Sequence, residues 1–342
     1  MKMTRIPFVV GLMAGAIALS SAMNTAAATA SGARMAAKTA VNCAAKPGPN
    51  VDLSNCSLTH VRLVRANLTG ANLTGADLTL GNLTFANLTS ANLSSANLTD
   101  AYLIFANLTG ADLTDANLTD ADLDSANMAG ALAIRAEFRN ALLMRANLLG
   151  ANLSSADLSD ADLTGAKLRN ANLTLAHLRK SNLRNANLKN ANLTSADLTQ
   201  ATLNGANLSG SNLNHAILIA AYGNANLSRA KLKDARLDGA NLSGSNFSHA
   251  NLSRANLTFA NAGGSDLTGA NLTRADLTRT ALFSANLTGA QLKNANLTGA
   301  FLLFANLTGA NLAGVTYSDT LCPDGTNSDF NGDTCAGHGG GL

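Results

Sequence analysis

The chain has 342 residues, of which 13% are charged and 4% aromatic, with no Trp, four Pro and a formal net charge of +3. An ordinary globular domain carries about 25% charged residues, so this surface is clothed in something else, and the sequence is rich in Asn, Thr and Ser. The same composition excludes a large conventional core of branched and aromatic side chains, and it excludes a highly charged disordered chain.

Lys2 and Arg5 precede an apolar run from Ile6 to Leu19, followed by small residues through Ala30. A basic start, a short apolar stretch and a small-residue site such as Ala28-Thr29-Ala30 predict a secretory signal peptide over residues 1–30. The run falls short of the roughly 20 residues that span a bilayer; retained uncleaved, it would be a short membrane anchor. No Arg-Arg pair precedes it, which points to the general secretory route. Cleavage removes Lys2 and Arg5 and leaves a formal charge of +1, so the mature chain is near neutral. Residues 31–50 read as a linker and N-terminal cap.

From Val51 the chain repeats every five residues, as in Ala66-Asn67-Leu68-Thr69-Gly70 and Ala71-Asn72-Leu73-Thr74-Gly75. The central Leu recurs at every fifth position from Leu53 to Leu218 and again from Leu227 to Tyr317. Its replacements, Met128, Ala133, Phe138, Phe247, Ala262 and Tyr317, are all apolar. Two positions earlier stands Ala or another small residue.

A period of five fits no regular element. On an α-helix the Leu positions would wind around every side, and on a continuous strand they would alternate between faces. The pattern works only where the chain turns a corner once per repeat. Ala and Leu then point inward, Asn and Thr outward, and Gly at repeat ends suits a turn needing φ > 0.

These repeats resemble the pentapeptide-repeat family, with its Ala-(Asp/Asn)-Leu-X-X consensus, from about Val51 to Asp319. The resemblance implies an all-β fold, a right-handed quadrilateral β-helix of four pentapeptides per coil and about thirteen coils.

Two departures stand out. Ala221-Tyr222-Gly223-Asn224 is one residue short and puts Gly223 where a central Leu belongs, which predicts a kink or distorted corner at 221–224. The second departure is the cysteines, which lie where a solenoid needs caps. Cys43 and Cys56 are 13 apart, and so are Cys322 and Cys335; in an exported chain two local pairs read as disulfides. Residues 320–342 form the expected C-terminal capping loop and tail. Within it Asp324, Asp329, Asn331 and Asp333 have a spacing suggestive of calcium loops, although Asx-turns explain the same residues.

No catalytic residue or cofactor motif emerges. His60, His177, His215, His249 and His338 are scattered, and the repeat itself generates the Asn-Leu-Thr sequons. Charge is blocked along the chain: residues 66–130 hold Asp and no Lys or Arg, whereas 131–190 are net basic. The basic block lacks interleaved aromatics for bases, so no nucleic-acid partner is expected. Outward apolar residues are rarer. Phe85 and Phe105 are twenty apart and stack on one face, with Tyr102 and Ile104 beside them and Leu142 and Met144 two coils on. Phe301, Leu303 and Phe304 repeat the theme near the C-terminus. Contiguous exposed apolar surface marks an interface.

The expectation is a secreted, non-enzymatic scaffold that meets an unidentified protein partner, or itself, through that apolar patch. The resemblance offers an alternative, since some pentapeptide-repeat proteins mimic a DNA duplex and bind DNA gyrase to protect it from quinolones. Mimicry needs a dense negative surface in the cytoplasm, which a near-neutral, exported chain lacks. Binding of ice through flat Asn/Thr columns is a third reading, interrupted at Ala129, Leu149, Lys167 and Arg169.

Overall fold

The computed structural model describes residues 41–337. The signal peptide expected over 1–30 and the first half of the linker expected over 31–50 therefore lie outside the described residues, as does the end of the C-terminal tail.

Each pentapeptide contributes one bridge residue, at the Asn position, paired in parallel with its equivalent one coil away: Asp52 with Asn72, Asn72 with Asn92, and so on. The step is 20 residues, so a coil has four faces. Face 1 begins with Leu53, face 2 with Leu58, face 3 with Leu63 and face 4 with Leu68, and each continues at that step.

The backbone of one repeat shows why the sequence takes this form. Asn87 N donates to Ala66 O in the preceding coil at 2.8 Å, while Leu88 N and Ser90 N donate to Asn107 O and Thr109 O in the following one at 2.7 and 2.9 Å. Ala91 N closes the corner on Leu88 O at 2.9 Å. One donor is left, Thr89 N, and Asn87 Oδ1 accepts it at 3.1 Å. Buried or half-buried amides need partners, so the Asn or Asp ahead of each Leu is a latch for the one amide that neither ladder nor turn can reach. Its free amide reaches back to the preceding coil: Asn107 Nδ2 donates to Thr89 Oγ1 at 2.9 Å.

Inside, Ala and Leu fill the axis. Leu68 through Leu307 are buried with few interruptions, and Met128, Ala133, Phe138 and Phe247 take central positions without gaining exposure. Ser181, Ser211 and Thr280 replace Ala and remain buried because their hydroxyls donate to the carbonyls of Leu178, Leu208 and Leu257.

Every corner needs a left-handed residue at its third position, as a type II turn does. Gly70, Gly75 and Gly110 supply it without strain, but so do Phe85, Phe105 and Lys180, at φ of 57°, 56° and 56°. An L side chain there costs about 1 kcal/mol or more. The three coil-to-coil bonds and the turn bond of each repeat hold it in place.

At the register break the distortion is confined to one corner. Asn207 pairs with Asn226, Asn212 with Lys231, Ile217 with Arg236 and Tyr222 with Asn241, all across a 19-residue step, after which the 20-residue step returns. Gly223 has φ 121°, and a Cβ there would meet the Leu203 carbonyl carbon at 2.8 Å. The coils before and after therefore stack through it, with Asn224 O still accepting from Gly205 N at 2.8 Å.

Both ends are closed by disulfides, Cys43–Cys56 and Cys322–Cys335. The ladder runs a quarter-coil past the boundary at 319 expected from the repeat count: Leu321 bridges Phe301, and Cys322 takes the central, buried position. The chain then turns back, with Asn327 antiparallel to Leu321 and a 3-10 turn at Ser328–Phe330 lying across the end. Tyr317 fills the axial position before Cys322 with its hydroxyl buried and unpartnered, and burial pushes its pKa up to about 12.

Candidate interaction surface

Each face has the same backbone, so what distinguishes them is the outward residues. The ladder from Asn82 runs through Tyr102, Asp122, Leu142, Asp162, Asn182, Thr202, Tyr222, Asn241, Asn261 and Ala281 to Phe301. The two apolar groups seen in the sequence therefore share face 3, ten coil steps or roughly 48 Å apart.

Phe85, Tyr102, Phe105, Leu142, Phe301 and Phe304 are exposed, and Phe304 is 73% accessible. Ile104, Met144 and Leu303 are half-buried between them. Phe85 and Phe105 stack at 5.1 Å with an 8° interplanar angle, and the Arg65 guanidinium covers Phe85 at 5.5 Å.

Face 3 also holds Val64, Tyr222 and Phe283, which sequence reasoning missed. Counting by twenty from Phe105 arrives at Ala305, off the column. Val64 and Tyr222 fall on the column by steps of twenty, and treating the break as a 19-residue coil places Phe283 there with Phe301 and Phe304. Phe283 lies over Gly263, where a Cβ would run into the ring. Phe259 sits on the corner leading into face 3, stacked under Arg279 at 5.5 Å. Every exposed aromatic side chain of the described coils thus lies on face 3 or its leading corner.

This surface is built at a structural cost. Tyr102, Leu142, Ala281 and Phe301 occupy latch positions, so Ile104, Met144, Phe283 and Leu303 forgo the side-chain acceptor that Asn supplies elsewhere. Each forgone bond is worth about 1 kcal/mol. Phe85, Phe105 and Phe304 take the left-handed corner conformation that Gly or Asn adopts more readily.

Charge divides by face more than along the axis. Face 2 collects acids: Asp77, Glu137, Asp157 and Asp197 in one column, with Asp100, Asp120 and Asp160 along the corner that follows. Arg139 reaches Asp157 at 2.7 Å, and Arg179 pairs with Asp197. Burial raises both carboxyls, but hydrogen bonds from Ser159 and Thr199 and the arginines outweigh it and leave them below the ordinary value. The acidic and basic blocks read along the sequence meet in pairs, Arg135 with Asp115 and Arg145 with Asp124, at 2.6 and 2.7 Å. Face 4, opposite face 2, carries a single acid in its repeats, Asp266.

In the C-terminal loop Asp324 Oδ1 accepts from Thr326 N and Oγ1, and Asp329 Oδ1 accepts from Asp319 N. Asn331 Nδ2 donates to Thr326 Oγ1, and Asp333 takes a left-handed φ of 56°. These are turn contacts, and among the described residues no group of three or more His, Cys, Asp or Glu could hold a metal. No helix among them is long and apolar enough to cross a membrane.

A solenoid of latched pentapeptides with capped ends defines a class of repeat scaffold. The family model for pentapeptide repeats matches in eight copies, over residues 50–84, 82–120, 121–160, 156–194, 191–222, 223–258, 250–289 and 285–316. Two copies meet at the register break. The chain belongs to the pentapeptide-repeat family and has its right-handed quadrilateral β-helix. Among solved structures it is similar to HetL, a pentapeptide repeat protein involved in heterocyst differentiation regulation in the cyanobacterium Nostoc sp. strain PCC 7120. That match is 36% identical, covers 68% of this chain and 91% of HetL, and has a TM-score of 0.36. A pentapeptide repeat protein of the Arabidopsis thaliana thylakoid lumen is 30% identical over 32% of this chain and 67% of its own, with a TM-score of 0.19. A trypsin-treated form of QnrB1, a plasmid-mediated fluoroquinolone resistance protein, is 20% identical over 58% and 87%, with a TM-score of 0.31. No curated protein matches.

Proposed function

We propose that the protein is an exported, non-enzymatic scaffold that docks a protein partner carrying a flat apolar strip onto face 3. The observation that carries this reading is the gathering of the exposed aromatics on one face of four, at latch and corner positions where the fold prefers Asn and Gly. Export is supported by the signal-like residues 1–30 and by two disulfides, which persist in oxidising compartments. Non-enzymatic action is supported by a surface of short polar side chains engaged in turn and ladder bonds.

The gyrase-protecting alternative draws on the acids of face 2, but Asp157 and Asp197 are neutralised there by arginines. The test is crosslinking in the native host with wild type and a Phe85→Ser/Phe105→Ser/Phe304→Ser variant. Partners captured from the extracytoplasmic fraction by wild type and lost by the variant support the proposal. Identical captures, a cytoplasmic location or clear inhibition of gyrase supercoiling by the mature chain would refute it.

A further inference from the structure

The side of the coil opposite the aromatic face carries the reverse character. In the second half of face 1 and the corner leading into it, Arg229, Lys231, Lys233, Arg254, Arg274 and Lys293 fall within four successive coils, roughly 15–20 Å, and all six are exposed. Asp234 is the one acid among them, and both nitrogens of the Arg254 fork hold it, at 2.6 and 2.5 Å. The other five cations are in no ion pair among the described residues. Like charges stacked one coil apart repel, and a chain of near-neutral total charge has no general need to concentrate them.

The surface there is concave as well as charged. Lys233, Arg254, Arg274 and Lys293 rim a groove of about 280 Å³ whose floor is formed by the half-buried Ser253 and Thr273. At the other edge of the face a second groove of about 370 Å³ is lined by Lys189, Arg229 and His249 with Ser209, Ser228 and Ser248. Cations around hydroxyl-lined grooves, repeated along an axis, suit a polymer with oxyanions and hydroxyls at regular intervals. Bases would need stacking platforms, and the exposed aromatics of the coils are on the opposite side.

We propose that this half of face 1 seats an extended anionic polysaccharide. Lys233, Arg274 and Lys293 hold its carboxylate or sulfate groups, and Ser253 and Thr273 face its hydroxyls. The site is independent of the face 3 reading: one surface takes an acidic glycan, the other an apolar protein, so the scaffold can bridge them.

The test measures binding of the full mature chain to polygalacturonate, alginate and dextran sulfate across a salt series, with neutral dextran and single-stranded DNA as comparisons. Alginate and polygalacturonate against dextran sulfate separate carboxylate from sulfate recognition. The expected result is salt-sensitive binding to at least one acidic glycan, weakened about tenfold or more by Lys233→Glu/Arg274→Glu/Lys293→Glu. The neutral series Lys233→Gln/Arg274→Gln/Lys293→Gln should weaken it less but in the same direction. Arg62→Glu/Lys180→Glu/Arg184→Glu makes the same charge change at faces 2 and 3 and should leave binding within about twofold. Equal losses in the two charge-reversed triples, no acidic glycan bound, or tighter binding of single-stranded DNA would overturn the proposal. So would salt-sensitive self-association through face 1 without glycan binding, which would assign the surface to a second copy of the chain.

Discussion

Faces 2 and 3 share a corner, a ladder geometry and a buried Ala–Leu axis, yet one is lined with acids and the other with exposed aromatics. Nothing in the backbone requires the difference. Face 2 holds part of its charge locally, since Arg139 and Arg179 bind Asp157 and Asp197 of neighbouring coils. Face 3 spends latch and corner positions on Tyr102, Leu142, Phe85 and Phe105, which weaken the repeat that carries them. In a solenoid the inward residues determine that a coil forms, and the outward residues are free to be chosen for something else. Where outward residues also work against the coil, a function outside the fold is the economical explanation.

The largest effect should separate inward from outward within one pentapeptide. Leu103→Ala opens the axis and should lower stability by about 2–5 kcal/mol, whereas Tyr102→Ser beside it should stay within about 1 kcal/mol. Denaturant midpoints of the two variants measure this; similar losses would mean that face 3 is part of the fold's support after all. Next in size is the break between the two halves of face 3. Gly223→Ala forces a Cβ against the Leu203 and Asn204 backbone at a φ of 121° and should cost about 1–3 kcal/mol. A neutral result would show that the 19-residue coil has slack there.

The smallest effect concerns face 2. Asp157 and Asp197 have pKa values depressed below the ordinary carboxylate, so their contribution to stability is complete above about pH 4 and is lost as pH falls through the folded values. Arg179→Gln should flatten that acid-side loss without altering midpoints near neutrality by more than about 1 kcal/mol. A pH profile identical to wild type would mean that the Thr199 hydrogen bonds alone set the shift.

Much of this was legible in the residues. Ala and Leu two apart, repeated every five, specify an inward axis and a corner without reference to any structure, and Cys43, Cys56, Cys322 and Cys335 mark where the ends close. The latch was less legible. Asn and Asp look like outward polar cover until the amide of the residue after Leu is seen to have no other acceptor. Left-handed corners at Phe105 and Lys180 run against local preference and follow only from the coil-to-coil bonds. The unity of face 3 was hidden by arithmetic: one missing residue at 221–224 shifts every later column, so Phe301 and Phe304 join Tyr102 and Phe105 only when that coil is given 19 residues. The division of charge between faces was obscured because sequence order runs around the coil before it climbs.

The most direct measurement places one photo-crosslinking side chain on each face of a single coil, at Tyr102 on face 3, Asn107 on face 4, Asp112 on face 1 and Asn117 on face 2. These four positions have the same place in the repeat and the same ladder bonds, so only the face differs. With the exported protein in its native host, the account requires a discrete protein adduct from position 102 and none from 107 or 117. Adducts of equal yield from all four positions, or one from 107 or 117 with none from 102, would contradict it.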